Sequence, residues 1–212
     1  FFKSSILWKT GKHCSNFNKI VMINRNSGQI YVVPLDFKLG YTLCKFSDYT
    51  DVAPFDGALV SVLNFRITDL EDIPSVEKLH NFEVLYGPVP LNKLPNTKGK
   101  AAWKYIGKVD VSNESIPIFK DTNQIITLSK AIDWSKVGGW RKQYNFHESE
   151  NVCNYEEVRG LEMRTLYDMR GVGIRATMHF LLLDNKRVEE YYDLSVEKNR
   201  RLYLQMINTS FD

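Results

Sequence analysis

In the first 120 residues, apolar and polar positions alternate over short stretches, and clusters of turn-forming residues separate those stretches. Residues 29–35, Gln29-Ile30-Tyr31-Val32-Val33-Pro34-Leu35, follow the turn cluster Arg25-Asn26-Ser27-Gly28. They are β-branched and aromatic, and they end at a proline that cannot donate to a sheet ladder. A turn over 36–40 leads into Tyr41-Thr42-Leu43-Cys44-Lys45-Phe46, whose apolar residues alternate. A polar loop, 47–56, then separates this strand from another at 58–65. Residues 19–23 carry an earlier strand signal after the polar and irregular stretch 1–19. Short strands spaced by turns predict a small antiparallel barrel.

Residues 69–80 read as a short helical insert, with Asp69, Glu71 and Asp72 near its start and Val76 and Leu79 three apart. Strand character returns at 82–89, at 101–111 and at 117–120. A boundary near residue 122 divides the chain into a barrel-like unit, 1–122, and a second unit, 123–212. In the second unit Asn154 as N-cap, Glu157 three residues on and Gly171 as a stop predict one helix. The alternation of Ile174, Ala176, Met178 and Phe180 predicts a strand, with a hairpin turn at 184–187 into 188–194. Ser195 then caps a helix over 196–208 that places Val196, Tyr203 and Ile207 on one face. The expected class is therefore α+β and β-rich, with a β-barrel-like half followed by an α+β half.

Composition changes this picture little. The 12 Phe, 11 Tyr and 4 Trp agree with a sheet-rich fold. The net charge is +3, with 15 basic and 11 acidic residues in 1–120 and 13 and 14 in 121–212. That asymmetry is too mild to mark a dedicated binder of nucleic acid or anionic membrane. No apolar run reaches the length of a membrane span. Cys14, Cys44 and Cys153 are sparse and odd in number, which points to reduced thiols and a cytoplasmic protein. The chain opens on Phe1, so a targeting segment removed upstream stays open.

Candidate chemistry is weak at each position tested. Cys153 lies near His147, but no nucleophile-family motif surrounds them, and the adjacent His13-Cys14 does not suit a metal. His80 and His179 are isolated, the latter expected as a partly exposed or satisfied sheet residue. Glu156-Glu157 and Glu189-Glu190 are adjacent acids whose side chains diverge. Gly138-Gly139 and Gly171-x-Gly173 match no phosphate-binding loop and read as turns. No catalytic residue, cofactor or metal is expected.

Two surfaces invite a binding role. Residues 93–108 carry Lys93, Lys98, Lys100, Lys104 and Lys108 among Trp103 and Tyr105. This stretch could be a strand with aromatics inward and lysines solvated, a protein-binding patch, or a nucleic-acid grip. The segment holding Trp134, Trp140, Arg141, Lys142 and Tyr144 either packs the two halves together or meets a partner.

The stretch Gly28 to Leu35 with its Pro34-Leu35 ending, followed by Gly40-Tyr41, resembles the opening of the immunity protein 26 family of bacterial polymorphic-toxin systems. Ile73-Pro74-Ser75-Val76-Glu77-Lys78-Leu79 resembles that family's short helical insert, and Phe82-Glu83-Val84-Leu85-Tyr86 its next strand. Trp103-Lys104-Tyr105-Ile106-Gly107 resembles its Trp-x-x-Ile-Gly strand, and Pro117-Ile118-Phe119-Lys120-Asp121 its last strand. The resemblance spans residues 28–121. It implies an all-β unit, with Gly28, Pro34, Leu35, Gly40, Tyr41, Trp103 and Gly107 as structural motif positions. It also implies a cognate protein toxin as partner, neutralised by occlusion without catalysis. The expected contact residues are Lys98, Lys100, Trp103, Lys104, Trp140 and Arg141. A substrate-mimicking acidic patch could join them, drawn from Asp69, Glu71 and Asp72 with Asp48, Asp51 and Asp56. A nucleic-acid-binding module that uses the lysine stretch is the alternative.

Overall fold

The structure, a computed structural model, describes residues 27–50, 57–99, 102–111, 117–144, 148–149 and 152–209. The expected strand at 19–23 lies outside them. Strands β1 (Gln29–Pro34), β2 (Tyr41–Tyr49), β3 (Gly57–Ile67), β4 (Val84–Leu91) and β5 (Lys104–Lys108) form an antiparallel sheet in the order β4-β3-β2-β1-β5. The alternation in sequence sets its register: Val32 faces Leu43, Cys44 faces Val62 and Val60 faces Val89. Gly40 sits at φ +88°, and a Cβ there would lie 2.0 Å from the Ile67 carbonyl oxygen. Gly28 is equally confined, with φ +83° and the Val109 carbonyl oxygen 2.1 Å from where a Cβ would be. Only glycine meets both demands.

The architecture is α+β, but among the described residues the expected barrel does not close: β4 and β5 are the two edges of an open sheet. The strand expected to complete the barrel, β6 (Phe119–Thr122), pairs instead with β7 (Trp140–Tyr144), which pairs with β8 (Glu148–Ser149). The insert at 69–80 consists of two 3-10 turns, Leu70–Asp72 and Val76–Asn81.

The later elements depart most from expectation. Asn154 and Glu157 do form a capping box, but it closes only the 3-10 turn Tyr155–Glu157. After a short helix α1 (Ile125–Leu128), the long helix of the fold is α2 (Met169–Leu183), capped by Asp168, whose carboxylate accepts from the Gly171 amide. Gly171 thus starts this helix rather than ending one, and the expected strand at 174–180 is helical. The reason is burial on nearly every side: residues 171–178, 180 and 181 are all buried, so the helix shows no amphipathic period. Val188–Glu190 is a 3-10 turn rather than a strand. Helix α3 (Glu197–Ile207) has Val196, not the expected Ser195, at its N-cap, with no side-chain capping bond; it buries Leu202, Leu204, Gln205 and Met206, whereas Val196 and Ile207 are exposed.

One face of the five-stranded sheet carries the main core. Val33, Phe46, Val60 and Tyr86 pack there against Val172, Ala176 and Leu181 of α2 and Leu202 and Met206 of α3. This core crosses residue 122. Burying a side chain such as Phe46 or Leu181 stabilises by about 1.5–3 kcal/mol. On the opposite face Ile30, Val32 and Leu43 pack with Leu79 of the second 3-10 turn, and a third core gathers Trp134, Trp140, Tyr155 and Leu204. Residues 162–167 join the two sheets: the Lys120 amide donates to Glu162 (2.8 Å) and the Tyr167 amide donates to Pro90 (2.8 Å).

Candidate functional site

The expected contact residues separate into surface and core. Lys98 and Lys104 are exposed, and Lys100 lies outside the described residues. Trp103 is buried against Tyr31, so it is a core anchor and offers no ring to a partner. Tyr105, expected to point inward, is half-exposed. Trp140 is buried between Trp134 and Tyr155 (centroids 5.9 and 5.1 Å), and Arg141 is half-buried opposite Asp121. The Trp140 segment therefore packs the structure together at this ring.

Asp69, Glu71 and Asp72 are exposed on the first 3-10 turn, where Asp69 accepts from the Glu71 amide at 3.0 Å. Asp48 does not join them. It is buried, and its carboxylate is taken up by the amide and hydroxyl of Thr50 (3.1 and 2.6 Å). Asp51, Asp56, His13, Cys14 and His147 lie outside the described residues. Cys153 donates weakly to the Trp140 carbonyl, and burial pushes the Cys44 thiol up, away from reactivity. Of the motif positions, Pro34 ends β1, Leu35 is buried, Tyr41 starts β2 and Gly107 meets Val76 where a Cβ would stand. No helix among the described residues is long and apolar enough to cross a membrane.

The β1–β2 turn holds a feature that the sequence does not announce. Phe37 and Lys38 both have positive φ (55° and 58°), in a turn closed by the Leu39 amide donating to Asp36 (3.1 Å). Such mirror-image turns normally carry Asn or Gly, and two side chains held this way cost about 1–2 kcal/mol each. Asp36 holds the turn in place. Its carboxylate takes both terminal nitrogens of Arg170 (2.5 and 2.8 Å) and the Tyr192 hydroxyl (2.6 Å), and its amide donates to Thr177 (3.0 Å). The Phe37 ring is 46 % exposed and stands edge-on to Tyr191 and Tyr192 (5.2 and 5.0 Å). The hairpin's length is visible in the sequence, but with no Asn or Gly at its centre its strain is not.

A second feature is a buried charged network. Arg175 of α2 donates through both terminal nitrogens to Glu162 (2.8 Å each) and through one of them to the Tyr167 hydroxyl (2.8 Å). Tyr167 in turn donates to Gln205 of α3. The Arg175 guanidinium also lies 4.4 Å from the Tyr86 ring centroid, and the His179 ring stacks on Tyr86 at 5.1 Å. Burial works against the Arg175 charge, but the Glu162 carboxylate more than offsets it and leaves the arginine's pKa above its ordinary value. Burial, reinforced by Arg175, drives the His179 pKa well below its ordinary value, so His179 is neutral.

Lys120 of β6 is also buried, and its ammonium donates to the carbonyls of Arg159 and Asn208 (3.0 and 2.8 Å) and to the Thr209 hydroxyl (3.1 Å). The Trp134 and Tyr155 ring centroids each lie 5.6 Å away. Burial lowers the Lys120 pKa to about 7, against the opposing pull of Glu162. Both networks are centred on side chains buried in the core.

Comparison with known protein families, with curated proteins and with solved structures finds no match.

Two outcomes follow from the networks. Arg175→Met leaves the Glu162 carboxylate buried without its partner and costs about 3–5 kcal/mol in urea unfolding. Glu162→Leu with Arg175→Met recovers most of that loss, and a double variant as unstable as the single would refute the pairing. For Lys120, the folded pKa of about 7 lies below the ordinary 10.5. The unfolded chain therefore binds more protons between these values. The resulting stability is greatest above 10.5 and is lost as the pH falls to about 7. Unfolding free energy measured across this window should rise with pH, and Lys120→Met should remove that rise; an identical slope in both proteins contradicts it.

Proposed function

We propose that this chain is a binding protein that neutralises a cognate protein toxin by occlusion, without catalysis or a cofactor, in the cytoplasm. The observation that carries this reading is the β1–β2 turn. A half-exposed Phe37 ring, flanked by exposed Lys38 and Arg170, is held in a strained backbone by four bonds to Asp36. Strain maintained by a surrounding network is characteristic of functional segments, and rigid aromatics with arginine are enriched at protein interfaces. Pre-organisation lowers the ordering cost of association. The resemblance of residues 28–121 to immunity proteins supplies the kind of partner. The exposed acids Asp69, Glu71 and Asp72 offer a second contact that would speed association with a basic toxin. The nucleic-acid alternative is weakened because buried Trp103 cannot stack on a base.

Co-expression with a toxin domain encoded beside this chain tests the proposal. The wild-type chain restores growth. Phe37→Gly relieves the turn's strain but loses its ring contacts, and these offset each other to within about 1 kcal/mol of folding stability. Its affinity for the toxin falls by about tenfold or more, the loss expected of an interface anchor. Failure of the wild type to protect would sink the toxin reading; equal protection by Phe37→Gly would sink the role of the turn.

A further inference from the structure

The loop that contains α1 presents the most exposed large apolar side chains among the described residues: Ile125, Ile126 and Ile132, at 66, 77 and 75 % exposure. Three isoleucines within eight residues gain nothing for folding in that position, and the loop cannot turn them inward. Leu128 is its inward anchor, buried in the core of Trp134 and Trp140. The Arg200 Nε donates to the Ser129 carbonyl (3.2 Å), and the Asn208 side-chain amide donates to the Ile132 carbonyl (2.8 Å). With the C-terminal part of the loop tied to Arg200 of α3 and to Asn208 just beyond it, and with Leu128 pinned in the core, the isoleucines are left facing out.

The rim is basic. Lys130 is exposed and Arg200 half-buried, while Asp133 is ion-paired with Lys136 at 3.3 Å. We propose that this loop is a docking surface for an anionic lipid bilayer, reached from the aqueous side without a spanning helix. A protruding apolar tip needs a matching groove in a protein partner, whereas the headgroup boundary of a bilayer accepts any shape. Apolar insertion and attraction of lysine and arginine to anionic headgroups then act together. This surface is separate from the Phe37 turn, and its function does not depend on toxin binding.

Sedimentation with lipid vesicles tests the proposal on the full chain. Vesicles of phosphatidylcholine alone are compared with vesicles containing about 30 % phosphatidylglycerol, at low and at about 0.5 M salt. The protein partitions onto the anionic vesicles at low salt, and high salt weakens that binding. Replacing Ile125, Ile126 and Ile132 together by Asn lowers partitioning at least tenfold with the unfolding midpoint unchanged. Lys130→Glu lowers it several-fold and reduces its salt dependence. Equal partitioning onto neutral and anionic vesicles, or an isoleucine variant that binds as the wild type does, overturns the proposal. A concentration-dependent dimer in sedimentation velocity that the isoleucine variant abolishes overturns it too, in favour of a second copy as occupant.

Discussion

Arg175 and Glu162 form an ion pair inside the protein, and the placement of the other elements depends on it. Glu162 belongs to the segment that bonds to the edge of β4 at one end and to β6 at the other. Arg175 belongs to the helix that covers the sheet. Pairing them fixes helix, sheet and connecting segment with two parallel bonds, and Tyr167 and Gln205 extend the chain of bonds to α3. Two buried charges are costly to desolvate, so their net gain in stability is small. Their effect is on specificity: any other docking of α2 leaves a carboxylate or a guanidinium buried and unpaired. The stacking of Tyr86 between Arg175 and His179 sets the helix rotation in the same way.

This constraint explains which parts of the fold were legible in the sequence. Strands β1 to β3 were, because each is a short run rich in β-branched, aromatic or other apolar residues set off by turn residues, with Gly28 before β1 and Gly40 before β2 at backbone angles that no other residue adopts easily. Helix α2 was not. Buried all round, its Ile174, Ala176, Met178 and Phe180 satisfy a period of two as well as they satisfy a helix. Nothing in the sequence marks Arg175 or Lys120 as buried, because the Glu162 partner of Arg175 lies 13 residues away and the partners of Lys120 lie 39 or more. Trp103 and Trp140 read as candidate contacts for the same reason: composition cannot say which aromatic residues the core consumes. The open sheet follows from β6, whose pairing with β7 is a long-range choice that strand propensity does not encode.

At the surface, the residues with binding character are those the core does not use. Phe37 occupies a backbone conformation that folding alone would give to glycine or asparagine, and the Asp36 network holds it there. The isoleucines of the α1 loop face outward, while the loop is fixed by bonds to its Ser129 and Ile132 carbonyls and by buried Leu128. In both places a rigid support holds an apolar group toward solvent, an arrangement that costs stability and agrees with the binding roles proposed for these surfaces.

Sheet and helix form one cooperative unit through the buried pair, even though the helix lies beyond the apparent boundary at residue 122. Native-state hydrogen exchange tests it most directly. The amides of Cys44 and Val60 in the sheet and of Ile174 and Ala176 in α2 should exchange with one common free energy, equal to that of global unfolding. Exchange of the α2 amides through a separate opening, at a free energy well below that of the sheet, would contradict it.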